Sequence, residues 1–173
     1  MQTSERARAL PIAADWKRVL LLTFFTILAV GPTFLTHTQW LTGPLVNATL
    51  LLTCALIGPT QALLLGLLPS TAALASGLLP LPLAPMVPFI MIGNALYIVS
   101  FHLLRSRPVA GIIAGSVIKF VFLASVVRFL MTGLLGAPVA SKLAVMMGWP
   151  QLFTALGGGA VALVLLLLLP RRG

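Results

Sequence analysis

Beyond Asp15 the sequence contains no Asp or Glu; its two acids, Glu5 and Asp15, both fall within the first fifteen residues. No pair of carboxylates can therefore be assembled for general acid–base chemistry. Proton- or sodium-coupled transport, which ordinarily runs through intramembrane acids, is disfavoured on the same ground. Cys54 is the only cysteine, so no intrachain disulfide can form, and a small residue in an apolar run is its plainest reading. His37, His102 and Cys54 do not have metal-ligand spacing, and His102 reads as an ordinary interface histidine. There is no GxxxxGK[ST] loop to hold nucleotide phosphates. Charge itself is scarce: 8% of the 173 residues are charged and 60% are hydrophobic, against about 25% charged in a soluble domain. The expectation is an all-α integral membrane protein without catalytic residues, bound metal or cofactor.

What is present fits that class. A span requires about 20 mostly apolar residues, and six segments qualify: Lys17 to Thr36, Leu41 to Ile57, Pro59 to Leu79, Pro85 to Leu104, Val109 to Thr132, and Pro150 to Leu169. Residues 17–170 thus form a six-helix transmembrane domain, with short tails at 1–16 and 171–173. Gly58-Pro59 separates the second and third segments, which reads as a tight helical hairpin. The first segment is too long for a removable signal peptide and lacks a small-residue cleavage site.

The formal charge of +9 would point to nucleic acid in a soluble chain. Here the cations mark topology instead, and no nucleic-acid partner is expected. Arg6, Arg8, Lys17, Arg18, Arg105, Arg107, Arg171 and Arg172 all fall on one face of a six-span bundle, and Lys142 alone lies in a loop on the other. The positive-inside rule puts both termini in the cytoplasm. Trp16, Trp40 and Trp149 fall at the interfaces, as aromatic anchors do. The Pro-rich stretch 79–88 cannot be a regular helix. It either folds back over the bundle as a cap or makes a plain connection.

Lys119 and Arg128 lie within the fifth segment, with no acid to pair with. A charge near the bilayer centre costs roughly 2.5–3.5 kcal/mol on insertion scales. Backbone carbonyls, trapped water, an anionic ligand or a partner chain must compensate, unless desolvation leaves Lys119 neutral. By depth, Asn47, Asn94, Arg128 and Gln151 converge on the outer half from four helices, a donor-rich group suited to a carboxylate or phosphate. The alternatives are local hydrogen bonding between helices and snorkelling to the interface. Nine residues at 100° place Lys119 and Arg128 on opposite faces of a straight helix, so one faces the pocket and the other faces protein, water or lipid. Tyr97, on the same segment as Asn94, joins the candidate binding residues. Gly111 and Gly115 make a GxxxG, and Ala62, Gly66 and Ser70 recur at four-residue spacing, both packing signals. Gly157-Gly158-Gly159 is expected to break up the last span.

In Leu56-Ile57-Gly58-Pro59 with Gly66, in Pro85-Met86-Val87-Pro88-Phe89-Ile90-Met91-Ile92-Gly93-Asn94, and in Trp149-Pro150-Gln151, the chain resembles the substrate-binding S components of energy-coupling factor (ECF) transporters. The resemblance implies a six-helix subunit of a bacterial-type cell (inner) membrane that binds a vitamin or related micronutrient, anionic or amide-rich, near the outer face. It also implies docking on an ECF coupling protein and two ATPase subunits. Members of the family often carry an Ala-xxx-Ala docking stripe on the first helix, for which the nearest match is Ala29-xxx-Thr33. The competing expectation is a non-transporting scaffold or assembly protein whose intramembrane cations pair with partner helices.

Overall fold

The computed structural model describes residues 12–36, 38–131, 133 and 137–169. His37 and the flanking arginines 6, 8, 171 and 172 lie outside the described residues. The described residues are predominantly helical, and no strand occurs among them. α1 is Ile12–Leu35 and α2 is Gln39–Leu56; α3 (Pro59–Leu65) and α4 (Leu68–Ala75) form one interrupted arm. A 3-10 turn at Leu81–Met86 leads into α5, Val87–Leu103. α6 (Pro108–Val126) runs on into a π turn at Val127–Met131, and α7 (Ala137–Met146) and α8 (Trp149–Leu168) complete the chain.

Four helical stretches are long and apolar enough to cross a membrane: Trp16–Leu35, Leu83–Leu103, Pro108–Phe129 and Pro138–Leu168. The surface agrees with that, since Leu35, Phe129 and Leu168 are all more than 70% exposed, an arrangement that suits lipid and not water. α2 is different. At 18 residues it spans about 27 Å, but it is buried all round from Asn47 to Cys54, with Asn47, Thr49 and Thr53 among the buried residues. The threonines satisfy their hydroxyls on the carbonyls of Leu45 and Thr49, four residues back. α2 is thus a central helix with buried polar residues, around which the apolar ones pack. The arm Pro59–Ala75 is a shorter apolar helix, broken at Gly66-Leu67 because Pro69 has no N–H to continue the ladder.

The turn before that arm is the hairpin expected at Gly58-Pro59. Gly58 holds φ +148, a conformation side-chain-bearing residues rarely adopt, and Pro59 opens α3 at a position where its missing N–H is no loss. The last span, in contrast, is not broken by its three glycines: Trp149–Leu168 is one continuous helix. Those glycines serve close packing. A Cβ on Gly158 would lie 2.7 Å from Asn47 Cβ, and one on Gly43 of α2 would lie 2.7 Å from Thr154 Cβ of α8. The two helices approach through reciprocal glycines. Gly111 and Gly115 do the same for α6 against Phe101 and Tyr97 of α5.

The segment after the π turn forms a helix, α7, where the sequence predicts a loop carrying Lys142. α7 and the Pro-rich stretch pack together: Leu79, Leu83, Met86, Leu143 and Met147 are buried in one cluster with Leu123 and Val126 of α6. The apolar Pro-rich stretch therefore folds back onto the bundle.

Candidate functional site

Lys119 is 2% exposed, and its neighbours account for its burial. Its ammonium donates to Asn47 Oδ1 at 2.8 Å and to Asn94 Oδ1 at 2.9 Å. Both amides are held in the orientation that makes this possible. Asn47 Nδ2 donates to Gly43 O, one turn back in α2, at 2.9 Å. Asn94 Nδ2 donates to Gly66 O at 2.9 Å, where the break in the arm leaves a carbonyl within reach of α5. With each NH2 taken by a backbone carbonyl, the amide oxygens are what face α6. The Tyr97 ring flanks the ammonium, its centroid 5.6 Å from Nζ, within cation–π range. Tyr97 is itself fixed by donating its hydroxyl to Ala155 O at 2.8 Å.

These groups close one side of a cavity of about 110 Å³ whose lining runs in sequence from Thr33 to Gln151 and includes Asn47, Ser70, Asn94, Lys119 and Gln151. The remaining wall is mainly apolar, including Val46, Leu79, Ile90 and Met147. Ser70 is 4% exposed, and its hydroxyl has no hydrogen-bond partner. Gln39, at the start of α2, also lines the cavity and donates Nε2 to Met146 O at 3.0 Å, tying the end of α7 across it. Gln151 Nε2 contacts Met147 Sδ at 3.8 Å.

Of the residues expected from the sequence, Asn47, Asn94, Gln151 and Lys119 come together. Arg128 does not join them. It is exposed and lines a second groove, of about 520 Å³, with Ala140, Ser141 and Ala144 of α7. The grouping read from depth, Arg128 with the amides and Lys119 elsewhere, is thus reversed. Lys119 is buried and Arg128 exposed, and it is Lys119 that Asn47 and Asn94 face. Tyr97 stands behind Lys119 and is absent from the cavity lining.

Gln39 and Ser70 were not legible as site residues. Gln39 adjoins the interfacial Trp40, and Ser70 sits in a small-residue stripe that reads as packing. In Ser70 the signal was the hydroxyl in place of a methyl. Ala29 and Thr33, the nearest match to a docking stripe, are 0% and 2% exposed; they face the interior and offer nothing to a partner. No protein-family model, curated protein or solved structure matches the chain.

Chemically, the ammonium form of Lys119 places in the site a positive charge that neutral amides solvate without cancelling. An ammonium has three donors, and the two amide oxygens occupy two of them. One donor and one unneutralised charge remain beside the cavity.

Proposed function

We propose that this chain is the substrate-binding membrane subunit of an ECF-type uptake transporter. In this reading it crosses a bacterial-type cell membrane six times with both termini in the cytoplasm. It captures a vitamin-like micronutrient and is energised by a separate coupling protein and two ATPase subunits. The observation that carries the reading is the cavity at Lys119, where a buried cation is held ready by two oriented amides and a charge-matched ligand can complete the site. A lysine serving only to pair with an acid on another chain would have to be reachable from outside, and this one is enclosed by its own helices. Docking would use a face other than the buried Ala29 and Thr33.

Purification in mild detergent followed by mass spectrometry of extracted small molecules is the direct test. One compound retained by wild type and absent from Lys119→Gln is the expected result. Protein that is consistently empty, and is not stabilised by any member of a micronutrient panel, would sink the reading.

One feature favours a second reading. Arg128 is exposed in a groove beside α7, where an acidic residue of a partner helix could reach it, as in a scaffold or assembly protein. Affinity purification separates the two readings. Recovery of ATPases with a coupling protein supports uptake, whereas recovery of a membrane assembly lacking ATPases, lost on Arg128→Gln, supports the scaffold.

A further inference from the structure

We infer that the Lys119 cavity selects a small monocarboxylate with an apolar body, its carboxylate bridging the Lys119 ammonium and the Ser70 hydroxyl. The inference rests on the binding-subunit reading and narrows its substrate class. Four observations carry it. First, the site supplies at most one formal positive charge: among the described residues Lys119 is the only cation lining the cavity, and the sequence has no acid beyond Asp15 to offset it. A monoanion brings the site to neutrality. A phosphate dianion would leave excess negative charge in an apolar enclosure, with no arginine fork to take it.

Second, Ser70 is a buried donor without a partner, and a buried polar group left unpaired is costly. A carboxylate has two oxygens and accepts from two directions. It can therefore take the third ammonium N–H and the serine O–H together, whereas an amide or alcohol answers the lysine charge only weakly. Third, most other polar groups of the lining already have partners: each asparagine NH2 donates once to a backbone carbonyl, Gln39 Nε2 donates to Met146 O, Thr33 and Thr42 donate to carbonyls of their own helices, and Gln151 Nε2 contacts Met147 Sδ. The ligand's polar end is thereby directed to the Lys119–Ser70 corner. Fourth, Val46, Leu79, Ile90 and Met147 line the rest, which suits a hydrocarbon or other weakly polar body. A volume of about 110 Å³ is room for several waters and so for a small molecule.

The test uses the full chain in nanodiscs with three probes: hexanoate, hexanamide and inorganic phosphate. Stability is read from thermal unmasking of the buried Cys54 to a thiol-reactive dye. The expected result is that hexanoate raises the unfolding midpoint, whereas hexanamide and phosphate do not. Ser70→Ala should weaken hexanoate at least about tenfold, the loss of one hydrogen bond to a charged group, and Lys119→Gln by at least as much. Equal stabilisation by hexanamide overturns the proposal, as does stabilisation by phosphate. An undiminished hexanoate effect in Lys119→Gln overturns it too, because it marks partition into lipid. Ser70 has no partner to lose, so Ser70→Ala keeps the test decisive if Lys119→Gln folds poorly; unchanged hexanoate affinity in it refutes the bridging role. A co-purified compound without a carboxylate, lost in Lys119→Gln, removes the carboxylate assignment and leaves the uptake reading standing. Protein that binds none of the probes and retains no compound fails both.

Discussion

Lys119 sets the energetics at the scale of single residues. Its two amide partners do not neutralise it, yet each replaces part of the hydration it gave up, and hydrogen bonds to charged groups are worth about 1.5–3 kcal/mol. Asn94 serves two roles, accepting from Lys119 and donating to Gly66 O across the broken arm. Asn94→Ala is therefore expected to destabilise the protein by about 2–3 kcal/mol, more than Asn47→Ala, whose NH2 bond stays within its own helix. Thermal unfolding followed by Cys54 exposure checks the order. The coupling is checkable too. Combining Asn94→Ala with Lys119→Met should cost at least about 0.5 kcal/mol less than the sum of the single losses, because residues in one hydrogen-bond network are not additive. Strict additivity would mean that the 2.9 Å bond contributes nothing.

At the scale of elements, glycine placement decides how near the helices come. Gly158 sits where α8 meets α2, and an added methyl meets Asn47 Cβ at 2.7 Å and Ala48 N at 2.9 Å. Gly157, one residue earlier, has nothing within 4 Å of that position. Gly158→Ala is expected to cost about 1–3 kcal/mol through overpacking. Gly157→Ala should be neutral or stabilising by up to about 1 kcal/mol, since it removes backbone freedom in a helix. Parallel melting curves of the two variants test this, and equal effects would mean that α2 and α8 are not held at glycine distance. α7 is tied over the cavity by the Gln39 bond to Met146 O. Gln39→Ala should raise amide exchange in 137–146 and leave exchange in α2 and α8 unchanged. An unaltered exchange pattern would remove α7 from any part in closing the site.

The whole molecule combines an apolar exterior with a polar seam along α2, α5 and α6. If the chain crosses six times, Ser106, between Arg105 and Arg107, and Ser141, beside Lys142, lie on opposite sides of the membrane. In a Cys54→Ala background, Ser106→Cys should react with an impermeant thiol reagent only from the cytoplasmic side, and Ser141→Cys only from outside. Labelling of both from one side would exclude the proposed topology. The architecture also explains why the site needs the complete fold: Asn47, Ser70, Asn94, Lys119 and Gln151 come from five helices, and no two neighbouring elements make the cavity alone.

The sequence by itself determined the helical class, the apolar segments, the turn at Gly58-Pro59, and the fact that any intramembrane cation must find compensation other than an acid. Each of these follows from local chemistry: backbone hydrogen bonds close within a helix, apolar runs seek lipid, and a carboxylate is either present or absent. Only the tertiary structure decided which cation is enclosed. Lys119 and Arg128 differ by half a helical revolution, and their own segment gives no reason to prefer either face. The choice rests on the amide oxygens of Asn47 and Asn94, aimed by bonds to Gly43 and to the break at Gly66. It rests also on Gly158, which lets α8 close against Asn47. Apart from the Asn47–Gly43 bond within α2, those contacts join residues 25 to more than 100 positions apart, a separation at which helical periodicity carries no information.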